Sequence, residues 1–127
     1  MMFYVADTHA LIKYLTGILP KKTQITFKEC ERGIHTIFIP TIVLAESFYL
    51  IKRGKIKLDF EEMISKIQSS ENFVIIPFDI RILRLFSGIK EFEIHDKIIV
   101  ATAKYLNANL ITQDKKIVKS KDVETIW

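Results

Sequence analysis

At 127 residues, 49% hydrophobic and 27% charged, with four Gly and three Pro, the chain reads as one folded domain with its own core and not as a disordered segment. Its formal net charge of +4 is compatible with a polyanionic partner but carries little weight alone. The single cysteine, Cys30, excludes an internal disulfide and a thiolate metal site.

The first predicted element is a short strand at Phe3-Tyr4-Val5-Ala6, cut by Asp7 and followed by a helical stretch, Ala10-Leu11-Ile12-Lys13-Tyr14-Leu15. The start has no basic leader, and no run approaches the roughly 20 apolar residues of a membrane span, so a cytoplasmic protein without a membrane anchor is expected. Ile37-Phe38-Ile39 forms a second strand closed by Pro40. Thr41 is then expected to cap a helix over Ile42 to Lys52, with Gly54 as its stop. Asp59 opens another helix with Glu62 placed for a capping box.

Phe73-Val74-Ile75-Ile76, ended by Pro77, suits a buried third strand, and Asp79 a short helix reaching Gly88. A longer helix is predicted from Asp96, as its cap, to Leu106. Asn109 to Thr112 reads as a fourth strand and Val123 to Trp127 as a fifth. Apolar strands alternating with helices predict an α/β fold: a mainly parallel sheet covered on both sides. In such sheets ligands bind beyond the carboxyl ends of the strands, near the switch in strand order.

Four carboxylates fall at that edge. Asp7 and Asp114 each follow a predicted strand, while Glu46 and Asp96 lie on flanking helices. Singly, Asp7 and Asp96 are ordinary helix caps and Asp114 an ordinary turn residue. Glu46 is harder to dismiss, because within Ile42 to Ile51 it and Ser47 are the only clearly polar residues, which argues for a buried helix and a crevice-facing acid; the alternative is a narrow exposed stripe or a pairing with a basic residue. If the four converge, like charges raise one another's pKa, and a hard divalent cation relieves the repulsion. Oxygen-only ligands suit Mg²⁺ or Mn²⁺ and disfavour zinc. The leading use of such a site is phosphodiester hydrolysis.

Taken together, Ala6-Asp7-Thr8-His9-Ala10-Leu11, Pro40-Thr41-Ile42-Val43-Leu44-Ala45-Glu46, His95-Asp96-Lys97-Ile98-Ile99-Val100-Ala101-Thr102-Ala103 and Leu110-Ile111-Thr112-Gln113-Asp114 resemble the PIN domain family, and within it the small VapC-type toxins of toxin–antitoxin pairs. The resemblance covers nearly the whole chain. It implies a PIN-like three-layer α/β/α domain over residues 1–127, with a sheet of four to five strands, and metal-dependent endoribonuclease activity on RNA. It also implies catalytic and metal-binding roles for Asp7, Glu46, Asp96 and Asp114, a supporting hydroxyl at Thr112, a homodimer and a cognate antitoxin. A role in RNA processing or decay is the alternative within the family.

Outside it, a haloacid-dehalogenase-like phosphatase would need an acid where His9 stands, and a receiver-like signalling domain would use Asp79. A catalytically silent binding module is a further alternative. His9 and His95, each beside a key acid, are read as structural. Phe48 and Tyr49 are read as core packing, with a dimer interface as the alternative, and basic residues such as Lys13, Arg53 and Lys97 as a solvated face open to RNA backbone.

Overall fold

Strand β1 (Phe3–Ala6) sets the frame. Successive strand side chains point to opposite faces, yet Val5 and Ala6 are both fully buried, so both faces of this strand are covered. In the computed structural model, which describes all residues 1–127, helices α1 (Thr8–Thr16) and α2 (Lys21–Glu31) lead from β1 to β2 (Thr36–Pro40). Helices α3 (Thr41–Lys52) and α4 (Phe60–Gln68) lead on to β3 (Phe73–Ile76). Then come α5 (Ile80–Leu83), a 3-10 turn at Phe86–Gly88, α6 (Ile94–Leu106), β4 (Asn109–Ile111), α7 (Lys115–Ser120) and β5 (Thr125–Ile126).

The five strands form one parallel sheet in the order β3-β2-β1-β4-β5, making the expected three-layer α/β/α arrangement. Val5 pairs with Phe38 on one side and Leu110 on the other. The chain steps outward from β1 to β3 and then returns to β1's other side for β4 and β5, so the order switches between β1 and β4. In an open sheet of this kind the crevice lies outside the carboxyl ends of the strands at that switch. A receiver-like sheet has the order 2-1-3-4-5, which seats β1 between β2 and β3. Here β1 lies between β2 and β4, which removes the receiver reading.

Three of the aspartates cap helices, as their positions in the sequence suggest. Asp7 caps α1 by accepting from the Ala10 N–H at 2.8 Å, and Gly17, at φ 74°, closes that helix in the left-handed region. Asp59 caps α4 through the Glu62 N–H at 2.9 Å, and Asp79 caps α5. No helix is long and apolar enough to cross a membrane.

Other expectations change. Thr41 is the first residue of α3 and not its cap; Pro40 takes that position without a side-chain bond, its fixed φ suiting the entry to a helix. Strand β2 runs through Pro40, which pairs with Ile76. Strand β3 is an edge strand, not a fully buried one: Val74 is exposed, because β2 covers only one side of it. Helix α6 begins at Ile94, capped by the Glu93 carboxylate accepting from the His95 N–H at 3.0 Å. Asp96 therefore lies in the first turn, and its carboxylate is not used as the cap.

Candidate active site

Each of the four acids leaves a different element, and all four border one open cavity of about 1230 Å³ at the carboxyl edge of the sheet. Asp7 is the deepest. The Asp7 N–H donates to the Ile111 carbonyl at 3.2 Å, which ties the end of β1 to the end of β4 at the switch point. Burial pushes the Asp7 carboxyl above its ordinary value; the Thr112 hydroxyl and the Ala10 N–H partly offset this.

Glu46 reaches the cavity from the second turn of α3. The Thr8 hydroxyl donates to its Oε1 at 2.5 Å, and His95 Nδ1 lies 3.4 Å from its Oε2. His95 is also 3.1 Å from a Glu93 oxygen, so the imidazole bridges the carboxylate that caps α6 and the one that lines the crevice. Asp114 follows β4 and caps α7, accepting from Lys116 and Ile117 N–H groups at 2.9 and 3.1 Å. Its own N–H donates to the fully buried Thr112 hydroxyl at 3.0 Å, which fixes the turn carrying the acid.

Asp96, half-buried, registers the crowding. Its carboxyl is pushed up to about 6, first by burial and then by the negative charges of Asp114, Glu93, Glu46 and Asp7. Three of those four charges belong to the same acidic set, so the predicted mutual repulsion is present in the fold.

That repulsion is the observation against which a metal is judged. No three His, Cys, Asp or Glu side chains are gathered tightly enough to enclose an ion by themselves. An open, all-oxygen site suits Mg²⁺ or Mn²⁺, which take one or two carboxylates and keep waters for a phosphate to displace. Asp7, Glu46, Asp96 and Asp114 could hold such an ion.

The structure also corrects the reading of neighbouring residues. Thr8, to which the sequence reading gives no role of its own, is the hydrogen-bond donor that fixes Glu46. Only its place one residue after Asp7 hints at this, and the partner is 38 residues away. Tyr49 is 54% exposed and Phe48 38%, so neither is core packing; Tyr49 and Arg53 border the cavity instead. Lys115, Lys116 and the exposed His9 also line it. Asp79 is taken up by capping α5 and by Arg81 at 2.6 Å, away from the four acids.

A family model described as the PIN domain matches residues 4–122. Comparison with curated protein sequences returns no match. Among solved structures, the chain is similar to VapBC2 from Rickettsia felis bound to a promoter DNA fragment, with a TM-score of 0.78, 20% identity and 99% of each chain covered. It is also similar to FitAcB from Neisseria gonorrhoeae, with a TM-score of 0.66, 18% identity and 98% and 96% of the two chains covered. PAE2754 from Pyrobaculum aerophilum gives 0.64, 17% identity, and 98% and 83%. At these identities the likeness shows a shared fold.

Proposed function

The chain belongs to the PIN domain family, and from that premise we propose that it is a Mg²⁺- or Mn²⁺-dependent endoribonuclease, the toxin of a toxin–antitoxin pair. One observation carries the reading: four carboxylates from four elements border one crevice at the strand-order switch, where burial and then the charges of its neighbours raise the Asp96 carboxyl.

Asp7, Glu46, Asp96 and Asp114 would hold the divalent ion, which would supply Lewis-acid activation of the phosphate and of a water. The protein's own groups do the rest. Ala10 N–H and Thr112 keep Asp7 aimed at the crevice. Thr8 and His95 hold Glu46 at the crevice, one against each carboxylate oxygen. The Lys116 and Ile117 N–H groups fix Asp114. A carboxylate of the four not engaged with the ion would orient the attacking water and take its proton. The water oxygen bonds to phosphorus as the bond to the leaving ribose oxygen breaks, in line.

The toxin assignment is supported by neighbours whose descriptions name toxin–antitoxin complexes. A homodimer is supported by exposed Ile80, Leu83 and Tyr105 on the packed pair α5 and α6, an apolar surface suited to a second copy. The test is RNA cleavage by wild type and Asp7→Asn, with Mg²⁺ and with EDTA. Cleavage by wild type in Mg²⁺ alone is expected; equal rates for the variant sink the proposal. A short adjacent reading frame for a DNA-binding antitoxin separates a toxin from an RNA-processing enzyme.

A further inference from the structure

The four carboxylates do not stand on equally firm ground, and Asp114 has the weakest footing. It follows a three-residue strand and caps a six-residue helix that buries only Ile117. Its aim into the crevice is set by Thr112 and Gln113 before it. Thr112 is fully buried, and its N–H donates to the Ile126 carbonyl at 3.1 Å. Its hydroxyl accepts from the Asp114 N–H and also meets the Asp7 carboxylate. Gln113, by contrast, is an exposed side chain at the border of the cavity.

An exposed glutamine in a turn keeps its rotamer freedom unless something takes its side chain. Lys13 takes it. The ammonium donates to Gln113 Oε1 at 3.3 Å and lies 5.2 Å from the centroid of the Trp127 ring. In the sequence Lys13 reads as part of a solvated face, yet its charged group is shared between two partners from the far end of the chain.

Trp127 makes a firm platform for that charge. The ring packs half-buried against the core, and the pairing of Ile111 with Ile126 sets Trp127 level with Thr112. Tryptophan is the best aromatic partner for a cation, and this is the only one in the chain. Lys13 itself rides on α1, the helix that Asp7 caps. Trp127, Lys13 and Gln113 therefore bridge from the end of β5, through α1, to the turn that carries Asp114.

Resting on the metal-dependent nuclease reading above, we propose that Lys13 and Trp127 are positioning residues for the divalent-metal site. Neither lines the crevice. They act through Gln113, holding the turn so that Asp114 and Asp7 face one ion together. A lysine close to an acidic crevice has a second way to act, by bare charge, and the two roles have opposite signs. Removing a positive charge relieves its repulsion of the metal and tightens binding. Removing a brace lets the acids drift apart and weakens it. At 0.15 M salt the Debye length is about 8 Å, which screens the charge effect and leaves the brace.

The test reads metal affinity apart from stability and from cleavage. Mn²⁺ binding to the folded full chain is followed by electron paramagnetic resonance at that salt, with urea unfolding in EDTA alongside. Lys13→Met should weaken the site that Asp7→Asn removes by about threefold, the scale of one cation–π contact. Trp127→Ala should weaken it to a similar degree, while Lys13→Arg and Trp127→Phe should restore most of the affinity. The double variant Lys13→Met/Trp127→Ala should bind no more weakly than Trp127→Ala alone, because both changes break one bridge. Mg²⁺ should shift the Trp127 emission of wild type and leave that of Lys13→Met unchanged.

Variants that unfold more easily but bind Mn²⁺ as wild type does reduce the bridge to a stabilising contact and overturn the inference. Tighter binding by Lys13→Met also overturns it, by assigning that lysine a bare-charge role. If wild type binds no Mn²⁺ at a site sensitive to Asp7→Asn, the metal reading itself fails and the inference falls with it. If the variants weaken Mn²⁺ binding as expected while wild type leaves RNA uncut in Mg²⁺, the bridge stands and the nuclease reading fails.

Discussion

Replacing Asp96 with Asn should stabilise the metal-free protein while removing most of its response to Mg²⁺. The carboxyl rises from 3.8 to about 6 in the folded state. At about 1.4 kcal/mol per unit, the rise corresponds to at most ~3 kcal/mol of destabilisation at neutral pH. Asp96 is only half-buried, so solvent screening reduces this to about 1 kcal/mol. Losing a negative charge in the first turn of α6 takes back roughly 0.5 kcal/mol through the helix dipole. The net gain is therefore about 0.5 kcal/mol, or about 2 °C in Tm for a chain of this size.

The pH dependence has a definite sign. A raised carboxyl makes the native state bind more protons than the unfolded state between pH 3.8 and about 6. Wild-type stability in EDTA should therefore fall as pH rises through that window, and the Asn variant should show a flatter profile. In Mg²⁺ at about ten times its dissociation constant, wild type should gain about 1.4 kcal/mol, and the variant much less. Differential scanning fluorimetry across pH, with EDTA and with Mg²⁺, reads all of these. A variant that is less stable than wild type at neutral pH in EDTA, yet shifts equally in Mg²⁺, refutes the reasoning.

Thr8→Val keeps the shape at the start of α1 but removes the donor to Glu46; urea unfolding should show a loss of about 1 kcal/mol, and cleavage should slow about tenfold with KM little changed. Asp79→Ala should lose about 1 kcal/mol, as the cap of α5, with RNA cleavage unchanged, and a small phosphodonor should not label Asp79 in wild type. Leu110→Ala, at a fully buried position of β4 beside β1, should cost about 2–5 kcal/mol by urea denaturation. A loss below ~1 kcal/mol there would contradict the placement of β4 inside the sheet.

The strands are the most legible part of the sequence, because β1, β2, β3 and β4 are compact apolar runs ended by Asp or Pro or lying next to polar turns. Helix α2 leaves little trace in it. Its buried face is Thr23, Thr26, Phe27 and Cys30, and two threonines on that face blur the apolar period that marks an amphipathic helix. Helix α7 buries only Ile117 among its six residues, too few for a period to register.

The start of α6 is misplaced by the sequence pattern because Glu93-Ile94-His95-Asp96 offers two acids as caps, and only the backbone geometry chooses Glu93. That choice strengthens the functional reading, since it removes the ordinary explanation for Asp96. Helix α3 misleads in the other direction. Apolar on most sides, it reads as buried, but it borders an open cavity, and Phe48 and Tyr49 stand out from the core. The four acids are legible as a set because each follows a strand or sits on a helix that leads back to the same edge. The bonds that fix them are not, since Thr8–Glu46 and Asp7–Ile111 join residues far apart in the chain.

The central claim is that Asp7, Glu46, Asp96 and Asp114 form one divalent-metal site. Anomalous diffraction from crystals grown with Mn²⁺ tests it most directly. The account predicts an anomalous peak in the crevice between β1 and β4, coordinated by Asp7 and at least one other of the four carboxylates, and absent from Asp7→Asn crystals. A Mn²⁺ peak that binds elsewhere on the protein, with the crevice empty, would contradict it.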